Sequence, residues 1–525
     1  MASRTRRFFL NTVSLCTSAI IMRGIGVAFN IYVLSKAGSV AMGLYSLIMG
    51  VYGFFITVAA CGVNLGVTRL VSEALGKNDP SLAVKSARAA LIFCTVSASI
   101  ASVFLFFLSP YISLDLLCDS RCEISLRAMS LSLIPVAVCS CLSGYFTAVR
   151  RVKLNSAFMT CIQILKIFIT LALLFIFIPY GEEYACLSLV LGMTVCEILS
   201  MLISFVLFCI DKRKHLVSTH IEKDATRKIT PRLLKITLPV TVASCARSLL
   251  SSLSHILIPR GLKKSGSSWS TALASYGLIC GIVLPLILFP SAFISSFSGL
   301  LIPEVSECRV RGDFERIRRI SYRILTIALF FSIGVSGIMI FLGSGIGMTV
   351  YKSAEAGRFI RILAPLIPIM YIDSAVDAIL KGMGKQVYSM VVNIIDAGMA
   401  CVIIFLLVPR LGIYGYLISI YATEIINTAL SLVGLLKCTK TRPKIFHQVI
   451  LPTVCICIAT TVSNIILSFT HHPFGDIIEL ILHISLVVAL YGILLLITRA
   501  IGKDEKEVIY NSLLPQKKHQ TSCDV

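Results

Sequence analysis

The chain has 525 residues, of which 57% are hydrophobic and 14% charged, with a single tryptophan and a formal net charge of +22. A mean hydropathy of +0.90 excludes an ordinary soluble domain and points to a chain that lives in a bilayer. The excess of Lys and Arg does not indicate nucleic acid, because these residues sit in short gaps between apolar runs rather than on one soluble face.

A helix needs about 20 apolar residues to cross the hydrocarbon core. Runs of that length with few charges predict fourteen spans, at 9–34, 40–65, 87–114, 126–148, 157–178, 184–210, 233–258, 272–300, 321–343, 358–380, 388–408, 413–436, 446–469 and 477–500. The first has the basic flank of a secretory signal, Arg4, Arg6 and Arg7, but its apolar run is too long and lacks a small-residue cleavage site. It reads as a retained helix. Positive connections stay cytoplasmic, and the basic clusters fall in alternate connections: the N-terminus, Arg69 to Arg88, Arg150 to Lys153, the strongly basic 211–232 stretch, Arg309 to Arg319, and the polar tail. Outward connections hold few cations, among them Lys36, Arg121, Arg260 and Lys352. Both termini are therefore expected in the cytoplasm.

Internal similarity accompanies the spans. VSEALGKND (Val71 to Asp79) follows the second span and VSECRVRGD (Val305 to Asp313) the eighth, and Arg23 and Arg247 occupy the middles of the first and seventh spans. The expected plan is a lobe over 1–210, a cytoplasmic linker at 211–232, a second lobe over 233–436, an appended pair of spans in 437–500, and a cytoplasmic tail at 501–525. An even number of spans per repeat relates the lobes by a pseudo-twofold along the membrane normal. The predicted fold class is an all-α polytopic membrane protein of two six-helix lobes plus a C-terminal helix pair.

The stretches RGIGVAFNIYVLSKAGSVAMGLYSLIMGVYGF, VTRLVSEALGKND, YGLICGIVLPLILFPSAFISSFSGLLIPEVSE and ILKGMGKQVYSMVVNIIDAG resemble the stage V sporulation protein B branch of the multidrug/oligosaccharidyl-lipid/polysaccharide exporter superfamily. The resemblance runs over roughly residues 9 to 435. It implies a two-lobed alternating-access exporter in the bacterial cytoplasmic membrane that turns over undecaprenyl-diphosphate-linked glycans, such as peptidoglycan or other envelope polysaccharide precursors, with a connection to sporulation. The partners it implies are the lipid-linked glycan, membrane lipid and a coupling cation.

Charges inside spans narrow the site. An arginine at mid-span costs about 2.5 kcal/mol or more unless it meets a partner or a wet cavity. On the first span Cys16, Ala19, Arg23, Gly26 and Asn30 form a small or polar stripe, and on the seventh Ser244, Arg247, Ser251 and Ser254 recur at helical spacing. Arginine's planar fork suits phosphate oxygens, so Arg23, Asn30, Arg247 and Ser251 are the expected substrate contacts. The competing reading pairs each arginine with a carboxylate for packing, but neither span contains an acid.

Lys166 and Glu197 lie at similar depth on adjacent spans and read as a structural ion pair. Asp373 and Asp377 share one face of the tenth span, either as a proton site or, the favoured reading, as a cytoplasmic-end pair facing Lys381 and Lys385. Some flippases with this resemblance place a cation among helices 7, 11 and 12; Asn393, Asp396 and Glu424 are the corresponding candidates, although helix 7 lacks the acid. Tyr45, Met49 and Tyr52 form a stripe that is core or a sugar-stacking face. Gly277, Gly281, Pro285 and Pro290 interrupt the eighth span. His255, His471, His472 and His483 are scattered and read as hydrogen-bonded packing residues.

No metal or cofactor is expected: Cys139/Cys141 and Cys455/Cys457 lie in apolar runs without a second ligand pair. A disulfide between Cys118 and Cys122 is one reading of their outward loop. No GxxxxGK[ST] loop occurs, which excludes an ATP-driven pump in one chain. The alternatives carried forward are a cation-coupled drug antiporter, which favours an acidic cavity, and a membrane polymerase or glycosyltransferase, which needs a sizeable outer loop that the sequence lacks. The chain reads as a transporter, not an enzyme.

Overall fold

The computed structural model describes residues 2–60, 62–76, 79–149, 151–215, 223–439, 446–468 and 476–498; the polar tail, His471 and His472 lie outside them. The described chain is helical throughout, without a strand: α1 (Ala2–Ala60), α2 (Val63–Gly76), α3 (Pro80–Tyr111), α4 (Cys122–Ser130), α5 (Leu133–Ala148), α6 (Val152–Phe177), α7 (Glu182–His215), α8 (Lys223–Lys264), α9 (Trp269–Leu278), α10 (Leu284–Leu288), α11 (Ser291–Val310), α12 (Phe314–Tyr351), α13 (Ala354–Leu363), α14 (Ile367–Gly382), α15 (Gln386–Leu411), α16 (Ile413–Thr439), α17 (Leu451–Ser468) and α18 (Asp476–Ile497). Among the described residues twelve helical stretches, some of them joining neighbouring elements such as α9 with α10 and α13 with α14, are long and apolar enough to cross a membrane, with a thirteenth if α4 and α5, bent by 42° at their junction, make one span. This is a multi-pass membrane protein. The first two expected spans both fall on α1, which is broken at Gly38, where φ 80° and ψ 170° leave helical geometry. Only glycine adopts that conformation without a Cβ penalty.

The chain forms two compact units, one of 1–292 with 386–427 and the other of 293–385 with 428–525. In the first, α8 lies along α15 and α1 packs on α8 and α9. The α1–α9 contact depends on missing side chains: a Cβ on Gly277 would lie 2.5 Å from the Gly43 nitrogen and 2.5 Å from the Ser39 carbonyl oxygen. Backbones this close gain dispersion contacts that no larger residue permits. On α8, Ser248 donates to the Gly53 carbonyl at 3.1 Å and Ser252 to the Gly50 carbonyl at 2.6 Å, so this face is tied to α1 in a medium where an unpaired hydroxyl is costly.

The turns at one end of this unit gather around Asp119. Its buried carboxylate accepts from Arg121 Nε at 3.0 Å and Nη2 at 2.7 Å, and from Trp269 Nε1 at 2.8 Å, while Arg121 also reaches Glu182 at 3.1 Å. Burial pushes the Asp119 carboxyl up, but the Arg121 and Trp269 hydrogen bonds outweigh it and hold the group below its ordinary value of 3.8. Lys263 lies over the Trp269 ring at 5.8 Å. Arg260 donates to the Asp115 carbonyl and to Cys118. Cys118 and Cys122 are free thiols, so the disulfide reading is corrected: Cys122 is drawn into the buried face of α4 while Cys118 stays exposed in the turn. At the opposite end Asp211 is buried with Arg151 against it and accepts from Tyr145 at 2.9 Å, and Glu73 of α2 takes Arg69 at 3.1 Å and Arg232 of α8 at 2.6 Å.

In the second unit α17 and α18 pack on α12 through a cluster containing Leu329, Ile333, Ile456, Ala459, Val487 and Leu495. Tyr491 donates to the Phe330 carbonyl at 2.8 Å and Gln448 to Thr326 at 2.6 Å. The sequence repeat has a local structural counterpart. Asp79 caps α3, accepting from Leu82 N at 2.9 Å, and Asp313 caps α12, accepting from Arg316 N at 3.0 Å. The final Asp of each repeat thus satisfies one of the orphan amides of a helix N-terminus.

Candidate functional site

The first unit contains a cavity of about 570 Å³ lined from α1 (Arg23, Gly26, Phe29 and Asn30 among others, with Met42 and Tyr45 beyond Gly38), from α6 (Gln163, Lys166, Ile167 and Thr170), from Leu189 of α7, and from Pro285, Leu288 and Phe289. Its lining is mixed, with apolar walls around a few polar groups, as in sites for amphipathic ligands. The charged members are both cations, Arg23 and Lys166; no carboxylate is among the lining residues.

Arg23 is positioned by the break after α10. Its Nη1 donates to the Leu288 carbonyl at 3.3 Å and to Ser291 Oγ at 3.1 Å. Pro285 and the Phe289–Pro290 turn interrupt the eighth span there, and a broken helix leaves carbonyls without their usual partners. Asn30 uses the same principle two turns along α1: its Nδ2 donates to the Gly281 carbonyl at 3.2 Å, inside the π-helical segment Ile279–Val283. The wider π turn disturbs the regular ladder, and the Asn30 amide serves the carbonyl it presents. The interruption expected from Gly277, Gly281, Pro285 and Pro290 therefore exists and holds the α1 side of the site.

The sequence-predicted residues distribute unevenly. Arg23 and Asn30 share the cavity. Arg247 and Ser251 do not line it; they are exposed side by side on α8, while Ser254 of the same expected stripe is buried against Cys401 at 3.1 Å. Asn393 turns back on its own helix, donating to the Ser389 carbonyl at 2.7 Å, and Asp396 and Glu424 are half-buried on α15 and α16. Asp377 pairs with Lys381 at 2.5 Å, one of the contacts expected of the Asp373 and Asp377 face. Among the described residues no three His, Cys, Asp or Glu side chains converge as a metal site. Tyr45 faces the cavity, whereas Tyr52 is buried and bonded to Ser132.

The residue undervalued by the sequence reading is Lys166. The expected ion pair with Glu197 of α7 is not closed, the two groups being only within electrostatic reach, and Lys166 instead faces the cavity beside Gln163 and Thr170. The signal was present: Gln163, Lys166, Ile167 and Thr170 have the i, i+3, i+4, i+7 spacing of one helix face.

A family model described as "Polysaccharide biosynthesis protein" matches residues 8–308. The chain belongs to that family. A second model, MatE, matches residues 266–406. Among characterised relatives, Stage V sporulation protein B of Bacillus subtilis (strain 168) is 26% identical over 518 residues, covering 96% of this chain and 98% of that protein. Among solved structures, the Lipid II flippase MurJ in an inward closed conformation superposes with a TM-score of 0.68 at 14% identity, covering 95% of this chain and 99% of that one. An inward-facing multidrug resistance MATE family transporter of the MOP superfamily gives 0.59 at 15% identity over 82% of this chain and 97% of its own. These likenesses show that the chain shares the fold of that flippase and that transporter.

Proposed function

We propose that the protein is a flippase that moves an undecaprenyl-diphosphate-linked oligosaccharide across the bacterial cytoplasmic membrane by alternating access. The observation that carries the reading is the cavity whose charged lining is Arg23 and Lys166 without a carboxylate. A lipid diphosphate needs fixed positive charge while it is out of water. Both bonds that hold Arg23 use Nη1, and a guanidinium has five N–H donors, so the fork retains donors for phosphate oxygens. Lys166 adds a point charge from the facing helix, and Asn30 and Gln163 offer neutral partners to sugar hydroxyls. The same basic lining disfavours a cationic drug, which is what sets this reading above the antiporter. Membership of the polysaccharide biosynthesis family, with the fold shared with a lipid II flippase, supports the lipid-linked glycan as cargo.

In this proposal the termini are cytoplasmic, and the α8–α9 and α15–α16 turns face outward. The lobes 1–210 and 233–436 move against one another about the 211–232 linker, and Arg247 with Ser251 meets the substrate in another stage of the cycle than Arg23. Energy comes from membrane potential or an ion gradient, for which Asn393, Asp396 and Glu424 are the candidate cation contacts.

The test is leaflet exchange of a fluorescent undecaprenyl-diphosphate sugar in proteoliposomes. Arg23→Ala and Lys166→Gln are each expected to slow exchange at least tenfold, the loss of about one charge-assisted hydrogen bond at 1.4 kcal/mol per decade, and Arg247→Ala to slow it as well. Exchange at the wild-type rate in folded Arg23→Ala would overturn the assignment of the cavity.

A further inference from the structure

The turns gathered around Asp119 join two parts of the chain that the transport reading sets in motion against each other. The proposed first lobe supplies the α3–α4 turn and the start of α7; the second supplies the hairpin of α8 and α9. Two contacts cross between them. Trp269 Nε1 donates to Asp119 Oδ2 at 2.8 Å. Arg260 Nη2 donates to the Asp115 carbonyl and lies 3.3 Å from the Cys118 thiol. The carbonyl it takes belongs to the π-helical turn Ile112–Leu116 that ends α3, where the last carbonyls lack helical partners and a cation suits the helix dipole. Cys118 is held at φ 55°, a left-handed backbone that disfavours a residue with a Cβ. Such a conformation persists only where its surroundings fix it, and Arg260 reaches it from outside its own turn.

The way partners are divided marks these contacts as detachable. When Trp269 leaves, Asp119 still accepts from Arg121 Nε at 3.0 Å, Arg121 Nη2 at 2.7 Å and the Arg121 amide at 3.1 Å, and Arg121 still holds Glu182 at 3.1 Å. Trp269 keeps Lys263 over its ring at 5.8 Å. Arg260 gives up a carbonyl and a thiol, both neutral, and its buried Nε has no partner among the described residues, so water replaces what release removes. No charge is stranded on either side, whereas a permanent strut has no need of compensation on each side separately. Next to these turns α9 meets α1 backbone to backbone at Gly277 and Gly43. Val33 and Met42, which flank the Gly38 break of α1 and line the cavity, are buried at 1% and 2% exposure.

We propose that Asp119 and the Asp115–Cys118 turn on one side, with Trp269 and Arg260 on the other, form a latch that holds the outward end of the cavity shut and parts each time the cavity opens outward. The inference rests on the transport reading and the orientation given above. Removing either crossing contact favours the outward-open arrangement, because a two-state equilibrium moves by the contacts that differ between its states. Each contact involves a charged group, and the loss of one such hydrogen bond changes an equilibrium by about tenfold or more.

The test has two arms, both on the full chain. In the first, Val33→Cys is introduced, and its modification by a membrane-impermeant thiol reagent applied to the outer face of right-side-out vesicles is timed. The rate is taken above that of the chain without this cysteine, since Cys118 is itself exposed. Adding Trp269→Phe or Arg260→Gln is expected to raise it about tenfold or more; an unchanged rate in either variant overturns the latch. Met42→Cys takes the place of Val33→Cys should that variant fail to fold. In the second arm, Arg260→Cys is bridged to the native Cys118 by a short bifunctional thiol reagent that a reductant cleaves, and leaflet exchange of the fluorescent undecaprenyl-diphosphate sugar is followed. Exchange is expected to fall to the protein-free rate in the bridged chain and to return to the rate of the unbridged variant on reduction, while wild type treated alike is unaffected. Wild-type exchange in the bridged chain overturns the proposal, because the turns then never part. If modification responds as expected but the wild type moves no lipid probe, the latch stands and the flippase reading fails.

Discussion

Replacing Trp269 by Phe would test how the turns of the first unit are held, because it removes one defined hydrogen bond from a buried carboxylate. Trp269 Nε1 donates to Asp119 at 2.8 Å, and the Asp119 side chain is only 5% exposed. A hydrogen bond to a charged group contributes about 1.5–3 kcal/mol, and the Phe ring preserves much of the apolar contact, so Trp269→Phe is expected to destabilise the protein by about that amount. Asp119→Ala, which also strips Arg121 of its bidentate partner, is expected to cost about 3–5 kcal/mol. The pH dependence has a definite sign. Asp119 is held below its ordinary value of 3.8, so its contribution is present above that value and is lost as pH falls through the lower, folded value. Trp269→Phe removes part of what depresses the carboxyl, moving the folded value upward and bringing the acid limb of the stability curve to higher pH. The assay is unfolding in mixed micelles, followed by helical circular dichroism across pH. A Trp269→Phe protein with wild-type stability at neutral pH and an unmoved acid limb would refute the assignment of Asp119 as the anchor of these turns.

Further outcomes follow from other contacts. Gly277→Val puts atoms where the Gly43 and Ser39 backbone lies, so it is expected to destabilise by about 1–3 kcal/mol, read in the same unfolding assay; full stability would show that the α1–α9 contact yields freely. Asp79→Ala and Asp313→Ala each remove an N-cap and should cost about 1 kcal/mol apiece, additively within error because the sites share no partner; a strongly non-additive double variant would argue against independent caps. Lys166→Gln is expected to weaken binding of the diphosphate lipid, measured by fluorescence titration, with little change in stability, whereas a large stability loss with intact binding would return Lys166 to a purely structural pairing with Glu197. Tyr145→Phe unpairs one oxygen of buried Asp211 and should lower stability by about 1–3 kcal/mol, checked by thermal unfolding.

The sequence by itself determined the elements of this protein. The expected spans fall on helical segments because in hydrocarbon every backbone amide must bond within its own segment, although two of them share α1 and others are divided between shorter elements such as α4 with α5 and α13 with α14. The Asp79 and Asp313 caps are local bonds over three residues, but the sequence shows only the repeat that ends in them, not their capping role. Arg23 and Asn30 stood out because their cost in a bilayer is intrinsic to residue type and depth. What only the tertiary structure decided is which polar faces meet. Arg247 had the same local signature as Arg23, yet Ser248 and Ser252 engage α1 while Arg247 and Ser251 face outward from that contact. Lys166 had an obvious candidate partner in Glu197, which obscured the neighbour it has in the structure, the cavity beside α6. Packing geometry of helices distant in sequence sets such contacts, and no periodicity along one helix encodes them.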